Sequence, residues 1–209
     1  MSEPDKLDKL MRWALTFDPA TVRAEIDVLH ARYPGLEREE LARKIYTRQA
    51  WKAAALGFAT GLPGNLLIAL PAGAADAVAM LRLEASAAVK VATIYEPEYL
   101  DDHEPQYELL VPIFGAGVLS QALREAGVLA GREATRRIIR KYLSKGTLKA
   151  FQSVLLKVFG KRVLQRTVIT KTVPIVGGVI GAGWNWIEIK LQGKRVIRYF
   201  AEGDVTDEG

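Results

Sequence analysis

A stretch of 23 residues without a charged side chain, Ala53 to Ala75, most constrains how this chain can fold. Its length would allow a membrane-spanning helix, which needs about 20 apolar residues. Alanine and glycine, however, outnumber leucine, isoleucine and phenylalanine in it, and Pro63 and Pro71 divide it, because proline interrupts a helix interior. We therefore predict a buried helical hairpin that turns at Pro63-Gly64 and packs closely through small residues.

The helix after this stretch carries one acid on an apolar face. We predict it over Ala72 to Tyr95, with Pro71 before its first turn, where proline is tolerated. On a 3.6-residue period, Asp76 falls in line with Met80 and with further apolar positions toward Ile94. A buried charge is costly unless it is paired and hydrogen-bonded. We therefore expect Asp76 to be a polar anchor that accepts hydrogen bonds from backbone N–H groups or from a distant side chain.

Two amphipathic helices precede the uncharged stretch. Asp18 followed by Pro19 is an N-cap with proline at the first helical position, and Pro34-Gly35 ends that helix. The next helix has glutamates in its first turn, where the helix dipole favours acids. Apolar periodicity predicts core packing for Val22, Ile26, Leu29 and Tyr33 of the first helix and for Leu41, Ile45, Tyr46, Gln49, Ala50 and Ala53 of the second.

An acidic loop follows Tyr95 and contains Asp101, Asp102 and His103. These residues are weak candidates for a Mg²⁺ or Ca²⁺ site, because both ions prefer oxygen ligands. The loop lacks the alternating aspartates of a calcium-binding loop, which favours a solvated turn without metal. After the loop we predict a second apolar helix from about Leu109 to Ala126.

A late apolar segment, Thr172 to Ile187, repeats some features of the first. Gly177 and Gly181 are four residues apart, a spacing that lets a neighbouring backbone approach closely. Asn185 is a polar residue in this apolar helix, as Asp76 is in the earlier one. We hypothesise that the two helices cross at their glycines and that Asn185 donates a hydrogen bond to Asp76.

The net charge of +5 is unevenly distributed along the chain. Residues 1–131 carry 13 basic and 18 acidic side chains, whereas residues 132–198 carry 16 basic and two acidic ones. Such asymmetry indicates an anionic partner for the second half. A basic amphipathic helix is predicted at its start, and its candidate contacts to an anionic surface are Arg132, Arg136, Arg137, Arg140, Lys141 and Lys145.

The order of these motifs resembles the bacterial EcsC protein family. The resemblance is carried by Gly61-Leu-Pro63-Gly64, by Pro71 with the alanine-rich turn that ends in Asp76, and by VPIVGGVIGAGWNW from Val173 to Trp186. It covers roughly Trp51 to Phe200. The resemblance implies an all-α domain that is cytoplasmic or loosely membrane-associated and has no settled catalytic activity.

The residue pattern argues against the commonest catalytic sites. The glycines from Gly177 to Gly183 match no register of the dinucleotide fingerprint, and the chain has no Gly-Lys-Ser/Thr phosphate loop. It has no cysteine, only two histidines and no Gly-x-Ser-x-Gly elbow for a nucleophile. We therefore expect no cofactor. An enzyme stays open through Asp76, as the acid of a hydrolase in an apolar cleft.

Together these features predict an all-α, single compact domain of about eight helices with glycine- and proline-broken apolar hairpins in its core. Amphipathic helices in residues 1–50 would pack on a core domain, 51–200, and residues 201–209 would form an acidic flexible tail. The expected role is non-catalytic: a cytoplasmic protein, peripheral at the inner membrane, that binds anionic lipid or a small apolar ligand. A nucleic-acid-binding module is the alternative, since the same cations neutralise phosphates. The predicted core or ligand-binding anchors are Asp76, Asn185, Gly61, Pro63, Gly64, Gly177 and Gly181.

Overall fold

A computed structural model of the protein describes residues 3–60, 69–101, 106–115 and 174–203. Helices dominate these residues and none of them lies in a β-strand, which confirms the all-α prediction for this part of the chain. The predicted total of about eight helices depends in part on residues 116–173, which lie outside the described residues. The helices are α1 (Glu3–Leu15), α2 (Pro19–Arg32), α3 (Arg38–Thr60), α4 (Ala69–Tyr95), a 3₁₀ turn (Tyr107–Leu109), α5 (Leu110–Phe114) and α6 (Pro174–Glu202).

The two predicted amphipathic helices are α2 and α3. Asp18 caps α2, and its carboxylate accepts hydrogen bonds from the Thr21 backbone N–H at 2.8 Å and from the Thr21 hydroxyl at 2.5 Å. Gly35 adopts a φ of 85°, a left-handed conformation that ends the turn between the helices. All the inward positions predicted for α2 and α3 are buried except Tyr33, which is partly buried against the core.

Helices α3 and α4 pack against each other in opposite directions. The Gln49 side-chain amide, midway along α3, donates to the carbonyl of Leu83, midway along α4. Near the other end of the pair, Glu39 of α3 lies close enough to Tyr95 of α4 to influence its pKa electrostatically. The turn of the hairpin, with Gly61, Pro63 and Gly64, lies outside the described residues.

Helix α6 packs along α3 in the opposite direction. The Asn185 side-chain amide donates to the Ala53 carbonyl at 3.0 Å, and the Lys190 ammonium donates to the Thr47 hydroxyl at 3.0 Å. One turn further along α6, Gly193 lies directly against the ring of Tyr46. As residue numbers rise along α6, those of its partners fall along α3, so the two helices are antiparallel. The late segment therefore packs in the core beside α3 and α4.

The predicted helix from Leu109 to Ala126 is wrong as a continuous element. Helix α5 ends at Phe114, because Gly115 adopts φ 86° and ψ 160°, a conformation incompatible with a helix and open mainly to glycine. All residues of α5 are buried. Helix α5 therefore fills part of the core beside α6. Its apolar composition is explained by this burial and does not indicate a long helix.

The core contains residues from every described helix. α1 and α2 both pack against α4, and α4 in turn contacts α6. No helix within the described ranges is long and apolar enough to cross a membrane. The largest fully buried side chains are Met11, Leu15, Leu41, Tyr46, Leu81, Leu100, Leu109, Leu110, Ile113, Ile189 and Tyr199.

Candidate functional site

The α3–α6 pair presents large apolar side chains to solvent on one side, a surface that we call the outer face. It consists of Trp51, Trp186, Ile187, Lys190, Leu191 and Lys194. Thr47 and Trp51 are one turn apart on α3, and Lys190 and Trp186 are one turn apart on α6. Since Lys190 contacts Thr47 and the helices are antiparallel, the two tryptophans lie at the same level on the same side of the pair.

The apolar part of the outer face is substantially exposed. Trp51 is 67% exposed, Ile187 54% and Leu191 49%. Ile187 and Leu191 are one turn apart and therefore adjoin on the helix surface. Single exposed apolar residues need no explanation, but several large ones on one surface, edged by charges, are typical of an interaction site.

Lysines border the apolar part of the outer face, toward the C-terminal end of α6. The Lys190 ammonium, besides its bond to Thr47, lies 5.9 Å from the centre of the Trp186 ring, within cation–π range. Lys194 is exposed one turn beyond Lys190. The outer face therefore combines tryptophan, aliphatic and lysine side chains.

One basic residue of the late segment turns inward instead. The Arg195 guanidinium donates to the carbonyls of Pro112 and Ile113 at 3.2 and 2.8 Å, and so binds the C-terminal end of α5. Its charge helps to hold the fold together. The charge asymmetry of the sequence predicts that the basic half faces an anionic partner. Arg195 is an exception, because its guanidinium binds carbonyls of α5.

Polar groups occupy the core between α3, α6 and the segment before α5. Asn185 is buried, and its side-chain amide donates to the Ala53 carbonyl. The Tyr199 hydroxyl donates to the buried Glu108 carboxylate at 3.0 Å. These bonds join residues far apart in sequence, and they fix the position of α6 because unpaired buried polar groups are costly.

The Tyr46 hydroxyl is an unsatisfied polar group in this core. Its ring is buried, and its hydroxyl has no hydrogen-bond partner within the described structure. Burial raises the pKa of Tyr46 well above its usual range, the Glu84 carboxylate raises it further, and the Arg195 charge lowers it. The hydroxyl therefore weakens the core instead of stabilising it.

We expect Tyr46→Phe to raise the free energy of unfolding by about 1 kcal/mol at neutral pH, because an unpaired buried hydroxyl is removed. Above pH 10 the unfolded chain loses the phenol proton while the folded chain keeps it, so the stability of the wild type falls by about 1.4 kcal/mol per pH unit from this group. The variant lacks this loss. Urea unfolding of both proteins between pH 8 and pH 11 measures the gap, which should widen above pH 10; a constant gap would contradict the burial of the hydroxyl.

The structure describes only some of the predicted site residues. Asp76, Gly177 and Gly181 lie within α4 and α6, but their side-chain surroundings are outside the described part, so the pairing of Asp76 with Asn185 stays a hypothesis. The six predicted anionic-surface contacts are also outside the described residues: Arg132, Arg136, Arg137, Arg140, Lys141 and Lys145.

Asp101, from the acidic loop, is engaged elsewhere. It forms an ion pair with Arg23 of α2 at 2.5 Å and is exposed. Asp102 and His103 lie outside the described residues. Within the described ranges no three histidine, aspartate or glutamate side chains cluster as a metal site would require.

Sequence reasoning misses Trp51, Gly193 and Arg82, three residues that shape the surface and the core. Trp51 is uncharged and lies beside inward-facing residues of α3, so only its position on the wheel signals exposure. Gly193 lies between Gln192 and Lys194 in a polar stretch, without the glycine spacing of the earlier motifs. Arg82 is one of few charged residues on a mostly apolar helix, and its position on the wheel does not show which group it binds.

No family model, curated protein or solved structure matches the chain. The surfaces and clefts of the described residues are therefore the basis for assigning a function.

Proposed function

We propose that this protein is a non-catalytic peripheral membrane protein that binds anionic lipid through the outer face. The observation that carries the proposal is the exposure of Trp51, Trp186, Ile187 and Leu191 on one side of the α3–α6 pair, next to lysines. Tryptophan prefers the headgroup region of a bilayer, where its ring is half in apolar and half in polar surroundings. Aliphatic side chains add affinity by entering the acyl boundary, as in interfacial helices.

Charge supports the same partner. Each lysine close to an anionic bilayer contributes about 1 kcal/mol at low ionic strength. Lys190 and Lys194 both lie on the outer face. The sequence-predicted basic helix that starts at Arg132 would add to this attraction. The motif resemblance to the EcsC family, which implies a cytoplasmic or loosely membrane-associated helical domain, points the same way, and membership of that family is part of the proposal.

The test is co-sedimentation with vesicles of phosphatidylcholine, with and without phosphatidylglycerol. We expect binding to the anionic vesicles that weakens as salt is added. Ile187→Glu/Leu191→Glu should weaken it by about tenfold or more, because two apolar contacts become repelled charges. Val28→Glu is the matched control for Ile187→Glu alone: Val28 is 58% exposed on α2, outside the outer face, and each of the two substitutions replaces a β-branched aliphatic side chain with one negative charge.

Three other outcomes would contradict the proposal. Equal loss with Val28→Glu would mean that net charge matters and the outer face does not. Equal binding to neutral vesicles would mean apolar insertion without a role for anionic lipid. Absence of vesicle binding together with salt-sensitive binding of DNA or RNA would identify nucleic acid as the partner.

A further inference from the structure

A cleft of about 480 Å³ lies between the start of α2 and the middle of α3 and α4. Phe17, Val22 and Leu83 line its apolar part, while Lys52, Arg82 and Lys90 supply cations to its walls. This volume is within the range of small-molecule sites, which combine apolar walls with a few polar groups. Since the outer face includes none of these residues, the cleft is a separate feature of the molecule.

The acids of the cleft are already engaged. Asp18 accepts hydrogen bonds from Thr21 as the cap of α2, and Glu25 forms an ion pair with Lys90. Lys52 is exposed and has no hydrogen-bond or ion-pair partner among the described residues. The cleft therefore has positive charge that its own carboxylates do not neutralise.

Arg82 supplies the more specific part of this charge. Its guanidinium lies 4.2 Å from the centre of the Phe17 ring and 5.1 Å from that of Trp13. Its Nη1 donates to the carbonyls of Trp13 and Thr16, and within the described structure its Nε and Nη2 donate to no acceptor. These two nitrogens form the edge of the guanidinium that binds a carboxylate or phosphate through two parallel hydrogen bonds.

We propose that this cleft binds a small organic anion, whose carboxylate or phosphate group is held by Arg82 and Lys52. Burial lowers the pKa of Arg82, as expected for a half-buried cation without a carboxylate partner, and a bound anion would neutralise it. Phe17, Val22 and Leu83 would contact the apolar part of the ligand. The same anionic group could belong to a soluble metabolite or to a lipid headgroup, and the experiment separates the two sources.

The first arm titrates the full-length protein with glycerol 3-phosphate and with succinate by calorimetry, at constant ionic strength. We expect saturable binding of at least one of them. Lys52→Ala should weaken this binding about fivefold or more, since one of two charge-assisted contacts is lost. Arg48→Ala is the matched control, because Arg48 is an exposed cation one turn earlier on α3 and outside the cleft. Arg82→Lys keeps the charge, removes the two-pronged edge, and should weaken binding more than Lys52→Ala does.

The second arm measures binding to vesicles containing phosphatidic acid, with the same variants. If soluble anions do not bind but Lys52→Ala weakens vesicle binding and Arg48→Ala does not, the group is a lipid headgroup. If Lys52→Ala has no effect in either arm, or the same effect as Arg48→Ala, the proposal is overturned. The soluble arm is independent of the outer face, so Ile187→Glu/Leu191→Glu should leave it unchanged even if the proposed membrane function fails.

Discussion

Gly193→Ala is expected to lower the free energy of unfolding by about 3 kcal/mol, the upper part of the usual range for overpacking a core. A Cβ atom at Gly193 would lie 2.6 Å from Cγ and 2.9 Å from Cβ and Cδ1 of Tyr46, distances well inside van der Waals contact. Tyr46 is buried, and Asn185 and Lys190, both N-terminal to Gly193 on α6, fix that helix against α3 next to the contact. Neither the ring nor the helix axis can therefore shift without losing other contacts.

Gly183→Ala, on the same helix, provides the matched control. A Cβ atom at Gly183 would meet no other atom within 4 Å, and the residue is exposed. Replacing an exposed helical glycine with alanine raises stability by about 0.5–1 kcal/mol, because the unfolded chain loses conformational freedom. The same chemical change should therefore destabilise the protein at one position and stabilise it at the other, as measured by urea unfolding.

A double-mutant cycle identifies the cause. In a Tyr46→Ala background the ring is gone, so Gly193→Ala should lose most of its cost, although the starting protein is less stable. If Gly193→Ala costs the same in both backgrounds, the clash with Tyr46 is not its cause. If it is as harmless as Gly183→Ala, the close packing of α3 against α6 is wrong.

Arg82→Met is expected to lower the free energy of unfolding by about 2–3 kcal/mol, because two charge-assisted hydrogen bonds, partly exposed to water, are lost. The Arg82 guanidinium binds the carbonyls of Trp13 and Thr16, which have no intrahelical partner at the C-terminal end of α1. Its cation–π contacts with Trp13 and Phe17 add to this. Methionine retains much of the side-chain length, so the loss isolates the guanidinium.

The measurement for Arg82→Met is chemical unfolding together with amide hydrogen exchange. The added exchange should concentrate in α1, since that helix loses the cation bound at its C-terminus. Arg48→Met is the control, because Arg48 is exposed and has no hydrogen bond or ion pair within the described residues. A loss spread evenly over all helices, or no loss at all, would contradict a role of Arg82 in holding the end of α1.

The outer face and the cleft meet at consecutive residues of α3. Trp51 belongs to the outer face, and Lys52 lines the cleft. A molecule bound in the cleft would therefore lie near a membrane that the outer face contacts. Because a substitution at one site lies close to the other, each experiment needs its own control: Val28→Glu for the outer face and Arg48→Ala for the cleft.

Local patterns were sufficient to predict α2, α3 and the C-terminal end of α4. The N-cap Asp18, the helix end near Pro34 and the inward positions from Leu41 to Ala53 all follow from spacing of a few residues, and the structure confirms them. Helix α4 ends at Tyr95 as predicted, but begins at Ala69, three residues before the predicted Ala72, because proline is tolerated throughout a first turn. Such features depend on neighbours along the chain, which a sequence displays directly.

The contacts that position α6 could not be predicted in the same way. Glycine spacing predicts a close approach at Gly177 and Gly181, whose surroundings lie outside the described part, whereas the described close approach is at Gly193, whose partner Tyr46 lies nearly 150 residues earlier. The sequence suggests Asp76 as the acceptor for Asn185, but the observed acceptor is a backbone carbonyl of α3, and a carbonyl leaves no signal in sequence. Likewise, spacing along α4 does not show that Arg82 reaches the end of α1.

The helical class, the boundaries of the amphipathic helices and the uneven distribution of charge can all be read from residue types and short-range periodicity. The tertiary structure decided which charges face solvent and which serve the fold: Lys194 is exposed, while Arg195, its neighbour in the chain, binds carbonyls of α5. The physical reason is that adjacent residues of a helix point about 100° apart. What each one meets is then set by the packing of helices distant in sequence.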